Sequence, residues 1–270
     1  MKQFAVIGNP VAHSRSPDIH AAFAAQFHIA LSYRKLPAAH DKFFPTVQAF
    51  FERGNGVNVT LPFKEEALKF ADKLSNAARL AGAVNTLSRQ GGLITGDNTD
   101  GIGLVRDIRD NQGFTIAQKS ILIIGVGGAA RGVLLPLSKE QPGSITLSNR
   151  NIDKARMLND LFKAHTTITV VPLNKLDRHF DLVINATSAS LSGEKIALSP
   201  AVFNKDTLAY DMVYSKNITP FMQSAAEHRA HIADGLGMLV EQAAASFALW
   251  HGIRPETHPV ITMIRKQLSD

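Results

Sequence analysis

Ile121-Leu-Ile-Ile-Gly125-Val-Gly127-Gly128-Ala129-Ala130 is the stretch whose reading decides the fold. A short apolar run of this kind suits a strand buried on both faces, and it leads directly into a G-x-G-x-x-A fingerprint that opens a helical segment. Gly125 permits the tight turn, Gly127 lets backbone amides approach a pyrophosphate, and Ala130 allows close helix–strand packing. The helix N-terminus attracts the anion. A glycine turn without a ligand is the plainer alternative, and the strand–loop–helix context disfavours it.

Further strands are expected on either side of the fingerprint, at Ser120–Ile124, Ser144–Leu147, Ile168–Val171, Leu182–Asn185 and Leu208–Asp211. Helix-length segments such as Ala129–Lys139 and Asp153–Lys163 separate them, the pattern of a parallel sheet covered on both faces. At the end of the second of these strands stands Ser148-Asn149-Arg150, where NAD sites usually carry an acidic residue for the ribose hydroxyls. Arg150 suits a 2′-phosphate, and Lys154 lies one helical turn further on. NADP is therefore expected over NAD, although Asp153 leaves open the alternative that both cations are solvated residues opening a helix.

The first hundred residues form a separate α/β pattern. Phe4–Ile7, Leu31–Leu36, Val57–Thr60 and Thr86–Ser88 are strand-like, while Pro17–Phe27, Asp41–Arg53 and Ala77–Ala81 have helical spacing. Thr99–Asn111 reads as a helix joining the two patterns. Two amphipathic stretches, Met238–Trp250 and Pro255–Leu268, close the sequence and suit either half equally well.

Composition excludes several classes. The 270 residues favour two domains, and 45% hydrophobic with 19% charged residues is ordinary for a globular chain. The absence of cysteine rules out disulfides, thiolate nucleophiles and sulfur-ligated zinc, and no metal site is expected. The N-terminus reads as a strand and turn rather than a leader, and the most apolar window is broken by glycines and Arg131. A cytoplasmic protein without membrane association is the expectation. The net charge of +6 is spread without a basic block, which fits a small anionic ligand better than nucleic acid.

With a cofactor domain in hand, the first half reads as a substrate domain. In Ser14-Arg-Ser16-Pro17, Ser16 is expected as a helix N-cap with Pro17 at the first helical position, leaving Ser14 free of that duty. Hydroxyls at such a place suit a carboxylate ligand. In Asn58-Val-Thr-Leu-Pro-Phe-Lys64, period-two alternation puts Val57 and Val59 on one face and Asn58 and Thr60 on the other. Pro62 stops the strand and Lys64 opens a helix. A lysine there opposes the macrodipole, so its presence needs a reason; an exposed surface lysine is the bland reading. Gly82-Ala-Val-Asn85-Thr86 and Gly96-Asp97-Asn98-Thr99-Asp100 add polar groups beside glycine turns, with Asp97 or Thr99 alternatively capping the next helix. Lys64 and Asp100 are the candidate proton-relay pair.

Taken together, Ser14–Pro17, Asn58–Lys64, Gly82–Thr86, Asp97–Asp100, Gly125–Ala129, Asn149-Arg150, Asn185-Ala-Thr-Ser188, Tyr210-Asp-Met-Val-Tyr214, Thr219-Pro-Phe221 and Asp234-Gly-Leu-Gly-Met-Leu239 with Gln242 resemble the shikimate dehydrogenase family, in family order across nearly the whole chain. The resemblance implies a substrate-binding and catalytic domain over 1–100 and 236–270, a Rossmann-like NADP domain over 101–235, and a final pair of helices returning to the first. It implies that Ser14, Ser16, Thr60, Asn85, Asp100, Tyr214 and Gln242 hold the substrate, with the serines on its carboxylate, and that Lys64 and Asp100 form the catalytic pair. It implies that Gly125, Val126, Gly127, Gly128, Ala129, Asn149, Arg150 and Lys154 hold the adenosine and phosphate end of NADP, with Met212 and Gly235 near the nicotinamide.

The implied activity is reversible NADPH-linked reduction of 3-dehydroshikimate to shikimate, a step toward chorismate and the aromatic amino acids, by a monomer or homodimer. An NAD-dependent quinate/shikimate dehydrogenase and a non-catalytic, ligand-sensing regulator of the same fold are the alternatives. Four positions depart from the family pattern. Asn151 and Lys154 replace a threonine and an arginine, which removes a planar fork and implies a weaker NADP preference. Ser190 replaces a glycine, which implies a different loop backbone. Asn76 stands where an acidic residue is common, and no cofactor contact is assigned to it.

Overall fold

Apolar runs bounded by turn residues form two six-stranded sheets. The structure, a computed structural model, describes residues 1–269, which divide into two units: Met1–Gly103 with Leu239–Leu268, and Leu104–Met238 with Ser269. The first sheet contains β1 (Lys2–Gly8), β2 (Leu31–Pro37), β3 (Gly56–Val59), β4 (Lys73–Leu74), β5 (Thr86–Gln90) and β6 (Leu93–Asp97), in the order β2-β1-β3-β5-β6-β4. β2, β1 and β3 run parallel, and β5 pairs antiparallel with both β3 and β6. Helices α1 (Ser16–Gln26), α2 (Phe43–Phe51), α3 (Lys64–Phe70), α4 (Asn76–Ala81) and α5 (Asp100–Arg106) alternate with these strands.

The second sheet contains β7 (Ser120–Ile124), β8 (Ser144–Ser148), β9 (Ile168–Val170), β10 (Leu182–Asn185), β11 (Leu208–Asp211) and β12 (His231–Asp234), in the order β12-β11-β10-β7-β8-β9. Every pairing in it is parallel, the doubly wound arrangement whose strand order reverses between β7 and β10. Its principal helices are α6 (Gly128–Lys139), α7 (Ile152–Phe162) and α8 (Pro220–Glu227). The chain ends in α9 (Leu236–His251) and α10 (His258–Ser269). No described helix is long and apolar enough to cross a membrane.

Several expectations shift in the folded chain. The segment from Thr99 to Asn111 is helical from Asp100, but α5 widens into a π-helical turn at Asp107–Asn111. The last helix starts at His258 rather than Pro255, because the Glu256 N–H is taken by the side chain of Gln26 and Thr257 accepts the first turn's amides. β4, β6, β12 and α8 lack a strong sequence signal: β4 has two residues and the other strands alternate weakly.

Period-two alternation is realised in β3. Val57 and Val59 enter the cluster of Ala5, Ile7, Phe43, Val47, Phe51 and Phe63. Asn58 faces the other side, toward a group of rings: His20 stacks on Tyr33 at 4.5 Å and lies near Phe23, Phe247 and Trp250. His20 is 1% exposed and neither ring nitrogen has a hydrogen-bond partner. Burial lowers its pKa to about 3, and His251 nearby adds to the shift. The folded chain thus keeps neutral a ring that the unfolded chain protonates below about pH 6.5. Stability from this residue is complete above that pH and is lost as pH falls toward 3, at a limiting slope of about 1.4 kcal/mol per pH unit. Urea unfolding across this acid range should decline less steeply for His20→Phe than for the parent; parallel declines would mean that His20 gains no protection from the fold.

Candidate active site

The end of β3 and the starts of α3 and α5 build the polar centre of the first unit. Pro62 cannot continue the ladder, the chain turns, and Lys64 becomes the first residue of α3. Its Nζ lies 2.5 Å from Asp100 Oδ2, at the start of α5, with the two side chains 27% and 17% exposed. This pairing supplies the reason for a cation at a helix start, and it separates Lys64 from a free surface lysine. Asp100 is oriented twice over: its backbone N–H donates to Asn98 Oδ1, and Asn85 Nδ2 donates to its Oδ1 at 2.8 Å. One carboxylate oxygen therefore faces the ammonium and the other faces an amide.

Asn85 is 3% exposed and organises the neighbourhood. Its Nδ2 also donates to Thr99 Oγ1 at 2.9 Å and to Gln242 Oε1 at 3.3 Å, while its Oδ1 accepts from Thr99 N and Thr86 Oγ1. Gln242, on α9, is held by its own Nε2 donating to Leu239 O. Asn85, Asp100 and Gln242 are thus in one hydrogen-bonded group with Lys64. Asp97 accepts from Ser75 Oγ and Asn98 N, and Thr99 uses its hydroxyl on Asn85, so neither side chain serves as the plain helix cap that was its alternative.

A layer behind these residues was not foreseen in this role. Ser246 stands one helical turn after Gln242 on α9. Asn58 Nδ2 donates to its Oγ at 2.9 Å, and Thr86 Oγ1 lies 2.7 Å from it. Tyr33 donates to Asn58 Oδ1 at 2.8 Å and so fixes which way that amide points. The i, i+4 pair Gln242 and Ser246, polar within the largely apolar run from Leu236 to Trp250, is the signal that would have found it.

The serine motif is corrected by the structure. α1 has Arg15 at its N-cap position without a side-chain bond, and Ser16 is already helical. Ser14 Oγ accepts from Ser16 N at 3.3 Å and donates to Ser16 Oγ, so the local capping duty falls to Ser14. Pro17 therefore stands at the second helical position, where its missing N–H leaves no intrahelical bond unmade. Thr60, half-buried just beyond β3, is tied by its N–H to Ile7 O.

In the second unit, Gly125 follows β7 with φ +99°, and a Cβ there would lie 2.8 Å from Thr187 Cγ2 in the loop after β10. Both the left-handed backbone and the close approach at the reversal of strand order require glycine. Gly127 and Gly128 are different: a Cβ on either would meet nothing within 4 Å. The open space lies over the N-terminus of α6, with Val126 half-buried, Ala129 exposed and Ala130 fully buried against the sheet. Those features fit a dinucleotide pyrophosphate.

Asn149 follows β8, and the Arg150 side chain is 83% exposed, with its guanidinium 3.1 Å from Glu194. Asn151 caps α7 through the N–H groups of Asp153 and Lys154, leaving the Lys154 side chain exposed. Asp153 pairs with Arg156, so it does not neutralise either cation. Met212 and Gly235 meet at the ends of β11 and β12, where a Cβ on Gly235 would lie 2.3 Å from Met212 O. Tyr214 is half-buried in the loop that follows Met212. Asn76 begins α4 behind its Ser75 cap.

Three family descriptions match successive parts of the chain: the shikimate dehydrogenase substrate binding domain over residues 6–87, shikimate/quinate 5-dehydrogenase over 108–236, and the shikimate 5′-dehydrogenase C-terminal domain over 235–262. The chain is 54% identical over 266 residues to shikimate dehydrogenase (NADP(+)) of Janthinobacterium sp. (strain Marseille), covering 98% of this chain and 97% of that protein.

The chain belongs to the shikimate dehydrogenase family.

Shikimate dehydrogenase (NADP(+)) of Herminiimonas arsenicoxydans is 55% identical over 267 residues, with 98% of each chain covered. The crystal structure of shikimate 5-dehydrogenase from Thermus thermophilus in complex with NADP(H) and shikimate superposes with a TM-score of 0.90 at 32% identity, covering 99% of this chain and 100% of that one. Family membership agrees with the architecture: a mixed first sheet carrying the polar centre, and a doubly wound parallel sheet carrying the glycine loop.

Proposed function

We propose that this chain catalyses the reversible NADPH-linked reduction of 3-dehydroshikimate to shikimate, with Lys64 and Asp100 as its acid–base pair. The observation that carries the reading is the 2.5 Å contact between Lys64 Nζ and Asp100 Oδ2, with Asn85 on the other carboxylate oxygen. A cation and a carboxylate fixed side by side can both hydrogen-bond one hydroxyl, which orients it and moves its proton. NADPH, when bound, supplies the hydride to the keto carbon, and NADP+ accepts it in reverse. Lys64 gives the proton to the carbonyl oxygen as it becomes a hydroxyl and takes it back in oxidation. Asp100 accepts a hydrogen bond from the same hydroxyl.

Ser14 and Ser16 hold the substrate carboxylate, and Thr60, Asn85 and Gln242 hold its ring hydroxyls. Residues Gly125 to Ala129 cradle the pyrophosphate, Asn149, Arg150 and Lys154 hold the adenosine and its phosphate, and Met212 with Gly235 borders the nicotinamide. These roles assign the substrate to the domain of residues 1–100 and 236–270 and the cofactor to that of 101–235. The enzyme acts in the cytoplasm, as a monomer or homodimer. The purified protein should turn over shikimate with NADP+, followed by nicotinamide absorbance; no turnover with NADP+ or NAD+ would sink the enzyme reading. Quinate with NAD+ in the same assay should turn over more slowly than shikimate with NADP+; the reverse order would favour an NAD-dependent quinate/shikimate dehydrogenase.

The 2′-phosphate assignment makes its own prediction. Arg150→Ala removes a charge-assisted contact, so the Kd of NADP+ should rise about ten-fold or more while that of NAD+ stays the same. Titration calorimetry with both dinucleotides checks it, and an equal loss for both would place Arg150 elsewhere than at the phosphate.

A further inference from the structure

At the carboxyl ends of β10 and β11, a buried carboxylate to which no role is yet attached ties together the two loops that follow these strands. Asn185 and Asp211 are register partners on these neighbouring strands, and both are fully buried. Asp211 Oδ1 accepts from Asn185 Nδ2 at 3.1 Å and from Val213 N at 3.1 Å. Its Oδ2 accepts from Ser190 Oγ at 2.6 Å and from Thr219 Oγ1 at 2.7 Å. Four neutral donors thus converge on one side chain, drawn from the last residue of β10, the loop after β10, the loop after β11 and the N-cap of α8.

The direction of each proton is determined. Ser190 Oγ already accepts from Asn185 Nδ2, and Thr219 Oγ1 already accepts from Met222 N, so each hydroxyl is directed to donate toward Asp211. Only an acceptor without protons of its own matches such a set, and asparagine would turn an NH2 toward groups that are themselves donating. Asn185 completes the arrangement: its Oδ1 accepts from Thr187 N and Thr187 Oγ1, and its backbone carbonyl accepts from Met212 N. Met212 is therefore held by the same pair of strand ends that holds the loop of residues 186–192.

The departure at Ser190 now has a physical content. Its φ is not positive, so this position does not need glycine, and the hydroxyl adds a donor that glycine would lack. We infer that Asp211, with Ser190 as its donor from the loop after β10, is the positioning residue that sets Met212 and hence the nicotinamide end of the bound dinucleotide. This rests on the reading of Met212 as a nicotinamide contact.

Equilibrium binding tests it without reference to turnover, using NADP+ and 2′,5′-ADP, the latter carrying the adenosine end alone. Ser190→Ala should raise the Kd of NADP+ about five-fold, the scale for a residue that acts on a ligand through its neighbours, and leave that of 2′,5′-ADP unchanged. Ser190→Thr, which keeps the hydroxyl, should restore the parent value. Asp211→Asn should show the same split more strongly; should it fail to fold, the Ser190 pair still decides. With NADPH deuterated at the transferred position, Ser190→Ala should also raise the kinetic isotope effect on kcat, because a displaced nicotinamide slows the hydride step.

Unchanged Kd values for both ligands would overturn the inference, as would a parallel loss of both, which would mark a merely structural role for the whole unit. Absence of shikimate turnover in the parent, with the binding split intact, would instead count against the proposed reaction and leave this inference standing.

Discussion

Lys64→Ala should lower kcat for shikimate oxidation by about 10²-fold or more, the usual scale for a positioned acid–base group, with KM for shikimate changing little. The variant should fold normally, since the Lys64 side chain is partly exposed and Asp100 keeps Asn85 on its Oδ1 and Asn98 on its backbone N–H. On the proposed assignment, removing the side chain leaves the hydroxyl and amide groups that hold the substrate but takes away the group that accepts the hydroxyl proton in oxidation. Steady-state kinetics separates the possibilities. A large rise in KM at unchanged kcat would make Lys64 a binding residue and move the acid–base role elsewhere.

Gly237→Ala should destabilise the second unit by about 3 kcal/mol, combining overpacking with a lost buried hydrogen bond. A Cβ at Gly237 would lie 1.9 Å from Asp107 Oδ1 and 2.3 Å from its Cγ, closer than any real contact, so the carboxylate must move. Asp107 is fully buried and accepts from the hydroxyl of Tyr210, itself fully buried, and from Asn111 Nδ2 at 2.9 Å. Burial first, and Asp107 second, hold the Tyr210 pKa well above its ordinary value, so the phenol stays a donor and needs its acceptor. Displacing that acceptor costs more than the methyl group alone would. For a unit of this size the melting temperature should fall by about 6 °C or more, at roughly 2–4 °C per kcal/mol. Scanning calorimetry should register the drop, and a melting temperature within about 2 °C of the parent would show that Asp107 relaxes without loss.

How much of the fold and of the site is legible in the sequence depends on how local each signal is. The run Ile121–Ile124 with Gly125, Gly127 and Ala130 needs only neighbours in sequence: an apolar strand, a φ that only glycine takes readily, and a helix start. β7, β8, β10 and β11 were accordingly readable to within about one residue, the ordinary fraying of element ends. Lys64 was legible as an oddity, because a cation opposes the dipole at a helix start. The serine motif misled for an equally local reason. Ser16 and Ser14 are both competent caps, and the choice between them turned on a single residue of helix length.

What lay beyond reach was contact across long separations. Asn58 and Ser246 are 188 residues apart, and Asn85 and Gln242 are 157 apart, so no window of sequence relates them. β4 and β12 gave little signal because each draws its place from a neighbour already in the sheet, β6 and β11 respectively. The hub at Asp211 was invisible for the same reason, since Asn185, Ser190 and Thr219 become its donors only when β10 and β11 lie side by side.

By itself the sequence determined the α/β class, the place and form of the glycine loop, the polar motifs and their order, because backbone conformation and capping are decided by adjacent residues. Only the tertiary structure decided that Lys64 meets Asp100, that Asn85 holds the second carboxylate oxygen, and that Asp211 gathers four donors. Those are pairings between elements, and their geometry exists only once each strand has found its register.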